Sequence, residues 1–435
     1  MEKEKLFVIG DYLSKKLKNN KFNSNIVNSF SRTISFENDK LKCFETTQAN
    51  SASLRLFKNG KVGYSLITGF NNIDNLIQIA LFNSKFGEKI NIELPKYEKE
   101  INIKEYYHSL DNINWDELIK EANKIIKEIK KIDKEYLVNI DFIADTTETL
   151  SINSNNLNIF ERSSSFSFSL NILKIQNTSI INISDYYVYP YFKNELHKIK
   201  ENVIKNMELY KREEKIKEGK YNVVFTPDAV GSLIGSILIG INGKNVEKKI
   251  SPLIDKINKQ IVSEKITLIE KPDLDDCIGS SMLDDDGVLT SEKYLIKNGV
   301  LKQFIFDLIT AKKMRTKSTG NGFGSPKVSP SFSNILILPS NISIEEIRKE
   351  LKNYVLVDSF IGAGQSNILA GDFSAIIESG FYFKNNKYQF RIKDNMIAFN
   401  VYDVLKNKLV EISKETKNFG SKIFPYIVLK DINIV

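Results

Sequence analysis

Residues 165–172 read Ser165-Phe166-Ser167-Phe168-Ser169-Leu170-Asn171-Ile172. This strict alternation of apolar and polar side chains has the two-residue period of a β-strand with one face in a core and the other in water. Such a strand needs neighbours, and antiparallel sheets are the ones that leave a face wet. The flanking sequence supplies them. Val138 to Ile152 reads as extended, and Phe30, Ile34 and Phe36 fall on one parity. Leu54 to Tyr64 reads as a hairpin turning at Asn59-Gly60, a pair that accepts the positive φ of a two-residue turn. Helical spacing interrupts the strands at Leu6, Ile9, Leu13 and Leu17, and again at Ile73, Leu76, Ile77, Ala80 and Leu81. A third helix starts near Asn114, with Glu117 in capping-box position and Trp115, Leu118, Ile119, Ala122, Ile125, Ile126, Ile129 and Ile132 on one face. The expected fold class is α+β.

A further helix at Leu196, Ile199, Val203, Met207 and Tyr210 runs into the charged, apolar-poor stretch 211–220, where the main boundary is placed. Residues 1–215 are expected to form an N-terminal domain of mixed helix and antiparallel sheet. A subdivision near 90–112 falls in a polar connector that holds Pro95. Residues 216–435 are expected to form a mainly antiparallel β domain with a few helices. It begins with a strand at Tyr221 to Phe225 and an apolar helix after Pro227, and a further strand spans Lys265 to Ile269. Hairpins turn at Asn298-Gly299 and Asn385-Asn386, and glycines cluster at 320–324 and 362–364.

Composition narrows the function. With 435 residues, 42% of them hydrophobic and 27% charged, the chain is globular rather than disordered. The apolar run from Ala229 to Ile241 is too short for the roughly 20 residues of a membrane span. The N-terminal residues lack a signal-type apolar core, so a cytoplasmic protein is expected. Cys43 and Cys277 are isolated, which excludes a disulfide framework and a cysteine zinc site. The net charge of +8 hints at an anionic partner, yet lysine and glutamate are interleaved and no nucleic-acid motif accompanies them. His108 and His197 have no metal-ligand spacing, and Gly364-Gln365-Ser366 is not a nucleophile elbow. Gly231 to Lys244 lacks the order of a phosphate cradle, so its glycines read as close helix packing. The acidic groups Asp273, Asp275, Asp276 and Asp284, Asp285, Asp286 miss the calcium-loop spacing and read as turn formers.

Several motifs in succession nevertheless resemble one family. Leu283-Asp284-Asp285-Asp286-Gly287-Val288 is followed by the hairpin Leu295-Ile296-Lys297-Asn298-Gly299-Val300-Leu301, by Ala311-Lys312-Lys313, and by Ser318-Thr319-Gly320-Asn321-Gly322. Gly362 and Gly364 precede Gly371-Asp372-Phe373-Ser374. In the first half, Leu54 to Gly63 and Ile152-Asn153-Ser154 continue the match. In order and spacing these resemble the TldD/PmbA family, called in older usage modulators of DNA gyrase. The resemblance implies a two-part α+β subunit that pairs with a relative and cuts unfolded peptide at a zinc site on the TldD-type partner. Catalytic members carry HExxxH on the helix of the second half and a later cysteine ligand. Here the equivalent helix, Asp228 to Gly240, has neither His nor Glu, and Asn418 to Lys422 has no Cys. The chain therefore resembles the PmbA/TldE branch, with no catalytic residue, no metal ligand and no cofactor of its own.

Three functions follow as expectations. The first is the non-zinc subunit of a TldD/TldE-type metalloprotease, a heterodimer or larger, with zinc on the partner. The second is a homodimeric binder of peptides, and the third a DNA-associated regulator whose affinity would fall steeply with salt. Residues implied to touch substrate are Asp284, Asp285, Gly287, Asn321, Gly322, Gly362, Gly364 and Asp372.

Overall fold

The computed structural model describes residues 2–97, 106–176 and 179–435. Helices and mostly antiparallel sheets are both present, so the fold is α+β. The chain forms two compact units. One comprises Met1–His197, Pro272–Ser291 and Ile305–Ser333; the other comprises Lys198–Lys271, Glu292–Phe304 and Asn334–Val435. The boundary expected at 211–220 divides the sequence, whereas the compact units divide space, and two short stretches of the second half fold with the first unit.

The first unit is built on six strands: β1 (Lys21–Glu37), β2 (Lys40–Lys58), β3 (Lys61–Thr68), β4 (Leu137–Asn153), β5 (Asn158–Gln176) and β6 (Ser179–Tyr189). They lie in the order β3-β2-β1-β4-β5-β6, with every neighbouring pair antiparallel. Asn59 and Gly60 both take positive φ, 51° and 74°, as the two-residue hairpin requires. Phe166, Phe168, Leu170 and Ile172 are fully buried while the alternate Ser165, Ser167, Ser169 and Asn171 are half-buried, so the opening alternation is realised in β5. Helices α1 (Glu2–Lys16) and α2 (Ile73–Ser84) cover one face of the sheet. Leu6, Ile9, Leu13 and Leu17 meet Leu76, Ala80, Ile26, Leu54, Leu56, Leu150 and Ile152 in a single core. Helix α3 (Trp115–Ile132) is capped by the Asn114 side chain, which accepts from Glu117 N–H, and buries the predicted stripe except for Ile119, which is half-buried, and Ile132 at its end, which is exposed.

The other face of the same strands is polar yet buried. Register puts Asn23 opposite Arg55 and Asn153, and Asn25 opposite Ser53. All five are at most 4% exposed. Of the connector expected at 85–110, residues 98–105 lie outside the described residues. Ahead of them, Ile90, Ile92 and Leu94 pack with Phe57, Val62 and Ile309.

The second unit holds a twelve-stranded mixed sheet whose spine is Lys422–Ile434, Gly219–Phe225, Tyr354–Ile361 and Asp372–Lys384. Most pairs are antiparallel; Ile335–Ile337 with Lys422–Ile434, Gly219–Phe225 with Tyr354–Ile361, and Lys387–Ile392 with Glu213–Glu214 are parallel. The hairpins at Asn298-Gly299 and Asn385-Asn386 form with positive φ at all four residues. The helix Pro227–Ile241 follows Gly219–Phe225. Thr226 caps it by accepting from Ala229 N–H, and Pro227 sits at its first position, where a missing N–H costs nothing. Val230, Leu233, Ile234, Ile237 and Ile241 are buried. No described helix is long and apolar enough to cross a membrane.

Candidate functional site

In the first unit the chain brings together Asp284, Asp285, Gly287, Asn321 and Gly322. Asp284 organises its own loop: its Oδ1 accepts from Asp286 N–H at 3.0 Å and Val288 N–H at 2.8 Å. Its other oxygen accepts from Gly322 N–H at 2.8 Å, across 38 residues of sequence. Asp285 N–H donates to Gly322 C=O at 2.7 Å, and Asp285 Oδ2 accepts from Gly324 N–H at 2.7 Å and Ser325 N–H at 3.1 Å. Asn321 is fully buried; it accepts from the Thr319 hydroxyl at 2.7 Å and donates to Ser331 C=O at 2.8 Å. Gly287 has φ +80°, and its carbonyl accepts from Tyr97 Oη at 2.7 Å. At Gly322 an added Cβ would lie 2.6 Å from Asp286 Oδ2 and 2.8 Å from Val328, so that position tolerates no side chain.

Asp286 anchors this knot to the sheet. Its Oδ1 lies 2.5 Å from Arg55 Nη2 and its Oδ2 accepts from Leu308 N–H at 2.8 Å, with both side chains at most 1% exposed. Ser53 Oγ meets Ser325 Oγ at 2.6 Å. Asp307 caps the helix Leu308–Lys313 by accepting from Thr310 N–H. Burial, reinforced by the Asp286 carboxylate, pushes Asp284 well above the usual carboxylate range. Burial raises Asp285 and Asp307 in the same way. Glu161 of β5 is pushed up to about 7 by burial and by the neighbouring Asp285. Arg55, Asp307 and Glu161 were not among the expected site residues. The signal for Arg55 was a cation inside a strand whose flanking leucines, Leu54 and Leu56, face a core, which places Arg55 on the opposite face.

Gly362, Gly364 and Asp372 belong to the second unit. Gly362, at φ +81°, begins a turn that Gln365 N–H closes on its carbonyl at 3.0 Å. Asp372 is exposed at the start of Asp372–Lys384, and Asn400 Nδ2 donates to it at 3.3 Å. Gly364 has only Ile368 near the position of an added Cβ, at 4.0 Å.

Three comparisons place this architecture. Residues 218–435 match the model described as PmbA/TldA metallopeptidase C-terminal domain, and residues 26–84 match PmbA/TldA metallopeptidase domain 1. The chain belongs to the PmbA/TldD metallopeptidase family. An uncharacterized protein of Methanocaldococcus jannaschii is 26% identical over 93% of this chain and 94% of its own length. The metalloprotease PmbA of Escherichia coli O157:H7 is 31% identical over 44% of this chain, and that match spans 41% of the enterobacterial protein. The crystal structure of TldE from Thermococcus kodakarensis superposes with a TM-score of 0.88 at 24% identity, covering 100% of both chains, and so shares the fold.

Within the PmbA/TldD family a zinc ion is the implied metal, and zinc needs imidazole, thiolate or carboxylate donors at about 2.0–2.3 Å. The helix Pro227–Ile241 offers one carboxylate, Asp228, and Lys417 Nζ lies 3.1 Å from it. Both cysteines, Cys43 and Cys277, belong to the first unit. Among the described residues no group of three or more His, Cys, Asp or Glu side chains is placed to hold a metal. A hydroxyl from Ser232 or Ser236 is a poor substitute for such a ligand, and this donor set does not fit zinc.

Proposed function

We propose that this chain is the non-zinc subunit, of TldE/PmbA type, in a two-subunit metallopeptidase that acts on unfolded peptide, with the zinc held by a TldD-like HExxxH partner. The observation that carries the reading is the helix Pro227–Ile241. Its inward positions are Val230, Leu233, Ile234 and Ile237, and its one carboxylate is engaged by Lys417. Aliphatic side chains supply no lone pairs, so the helix contributes packing where a catalytic member contributes ligands. The family and the likeness to TldE support the same assignment. In this reading the chain binds and orients peptide while the partner supplies the bond-breaking chemistry.

The test is coexpression with an HExxxH relative. The two chains should copurify, and the mixture should digest unfolded casein while this chain alone does not. Stoichiometric tightly bound metal together with unaided digestion by the isolated chain would overturn the assignment.

A further inference from the structure

Helix α2 carries apolar side chains on two sides. Leu76 and Ala80 enter the core of the first unit. Ile79, Phe82 and Phe86, at i, i+3 and i+7 of the helix and its final turn, form a second stripe that is 43%, 57% and 77% exposed. Single exposed apolar residues are ordinary, but a helix that is apolar on more than one face needs cover on each. The rings of Phe82 and Phe86 lie 5.4 Å apart and make one apolar tip at the helix end. Exposure rises towards that tip, as it does on a projecting corner rather than on a flat face. Lysines surround it. Lys85 Nζ lies 5.6 Å from the Phe82 ring centroid, and Lys61 Nζ donates to Lys85 C=O at 2.9 Å. Lys61 bridges to Lys89 along the backbone and stands opposite Lys58 in the β2–β3 register. None of these four lysines is ion-paired among the described residues. The carboxylate beside them in sequence, Glu88, is held 2.7 Å from Lys313 Nζ.

We propose that this corner docks on the surface of an anionic phospholipid bilayer, with the Phe82 and Phe86 rings below the headgroups and Lys58, Lys61, Lys85 and Lys89 at the level of the phosphates. Charge decides the occupant. A projecting apolar tip ringed by unpaired cations matches an interface that is apolar below and negative above, whereas a neutral apolar groove on a protein would leave the lysines unused. The long lysine stems let the ammonium groups stay in water beside buried rings. Size points the same way. A specific protein interface needs about 800 Å² on each side, more than three side chains at one corner supply. This proposal rests on α2 and its neighbours alone and holds whether or not the chain serves as a protease subunit.

Flotation of the full-length chain with lipid vesicles tests it, comparing phosphatidylcholine alone with phosphatidylcholine containing about one third phosphatidylserine. The phosphatidylserine vesicles should retain half of the chain at about 0.1–1 mM lipid, near the affinity of a single myristoyl anchor, and pure phosphatidylcholine should retain about tenfold less. On the anionic vesicles Phe86→Ser should weaken retention about tenfold. Lys85→Gln and Lys89→Gln should weaken it about fivefold each. Salt at about 1 M, where charges are screened beyond about 3 Å, should remove the advantage of phosphatidylserine. All three positions are exposed, and circular dichroism checks that the variants fold. No retention of the folded wild type by the anionic vesicles overturns the proposal. So does retention that Phe86→Ser leaves unchanged, which would reduce the contact to the general attraction of a basic protein. Phe86-dependent capture by polyglutamate beads without retention by vesicles would assign the corner to an acidic protein and likewise overturn it.

Discussion

Arg55–Asp286 in the first unit and Lys417–Asp228 in the second are both ion pairs between segments far apart in sequence, set in different surroundings. The first pair has side-chain exposures of 1% and 0%, the second 28% and 34%. Around Arg55 the neighbours are carboxylates, amides and backbone N–H groups. Near Lys417 is the ring of Phe419, and the helix that carries Asp228 is packed by buried aliphatic side chains, with Tyr402 Oη and Ser251 Oγ donating to its Ser236 and Gly240 carbonyls. One region is ordered by a buried ion pair and polar contacts among which several atoms, Arg55 Nε and Nη1 and Asn25 Nδ2 included, have no hydrogen-bond partner among the described residues, so a lost partner leaves a buried charge. The other is ordered by apolar burial, to which the ion pair adds little.

Breaking the buried pair should give the largest effect. Arg55→Met strands Asp286 in a dry site and should cost about 3–5 kcal/mol by urea denaturation. Arg55→Met combined with Asp286→Asn should lose less than the sum of the single changes, because no charge is then left uncompensated. An additive double variant would place the two side chains in a wetter setting than described. Gly322→Ala comes next. Its Cβ meets an Asp286 oxygen already held by Leu308 N–H, so a loss of about 1–3 kcal/mol is expected in the same measurement.

Acid titration sharpens the contrast further. Glu161 has its folded pKa raised to about 7 from an ordinary 4.5, so the folded state binds its proton more tightly than the unfolded state. That contribution is fully present below about 4.5 and is lost as pH rises to about 7. Asp284, Asp285 and Asp307 shift in the same direction. The urea midpoint should therefore fall between pH 4.5 and 7 in the wild type and fall less in Glu161→Gln. An identical slope in both would remove Glu161 from the cluster. The smallest effect is expected in the second region, where Lys417→Met should change stability by about 1 kcal/mol or less. A loss as large as that of Arg55→Met would erase the distinction between the regions.

The regular elements were legible because each repeats one local rule. The alternation at 165–172, the stripe on α3 and the Asn-Gly turns all depend on neighbours in sequence, and each appears where expected. The polar layer was harder to read. Asn23, Asn25 and Arg55 sit on strands whose other face is apolar, a pattern that ordinarily means exposure to water. Asp286 and Ser325 reach Arg55 and Ser53 on that face from far along the chain, and such long-range contacts have no local period. The connector concealed a weaker signal: Ile90, Ile92 and Leu94 alternate as a half-buried extended segment does, but the polar residues around them masked it. The Asp284–Gly287 and Asn321–Gly322 motifs were found by resemblance. The structure shows them occupied with one another's backbone, as turn formers are.

The discontinuity of the first unit bears on how the polypeptide is made. Its polar layer closes only when residue 333 has been synthesised, 136 residues after the continuous part ends at His197. At about 5–20 residues per second a ribosome needs roughly 7–27 s to cover that distance. During that interval Arg55 and Ser53 lack Asp286 and Ser325, and the nascent chain presents that sheet face to solvent or to a chaperone. A fragment truncated at the expected boundary would keep that face open permanently.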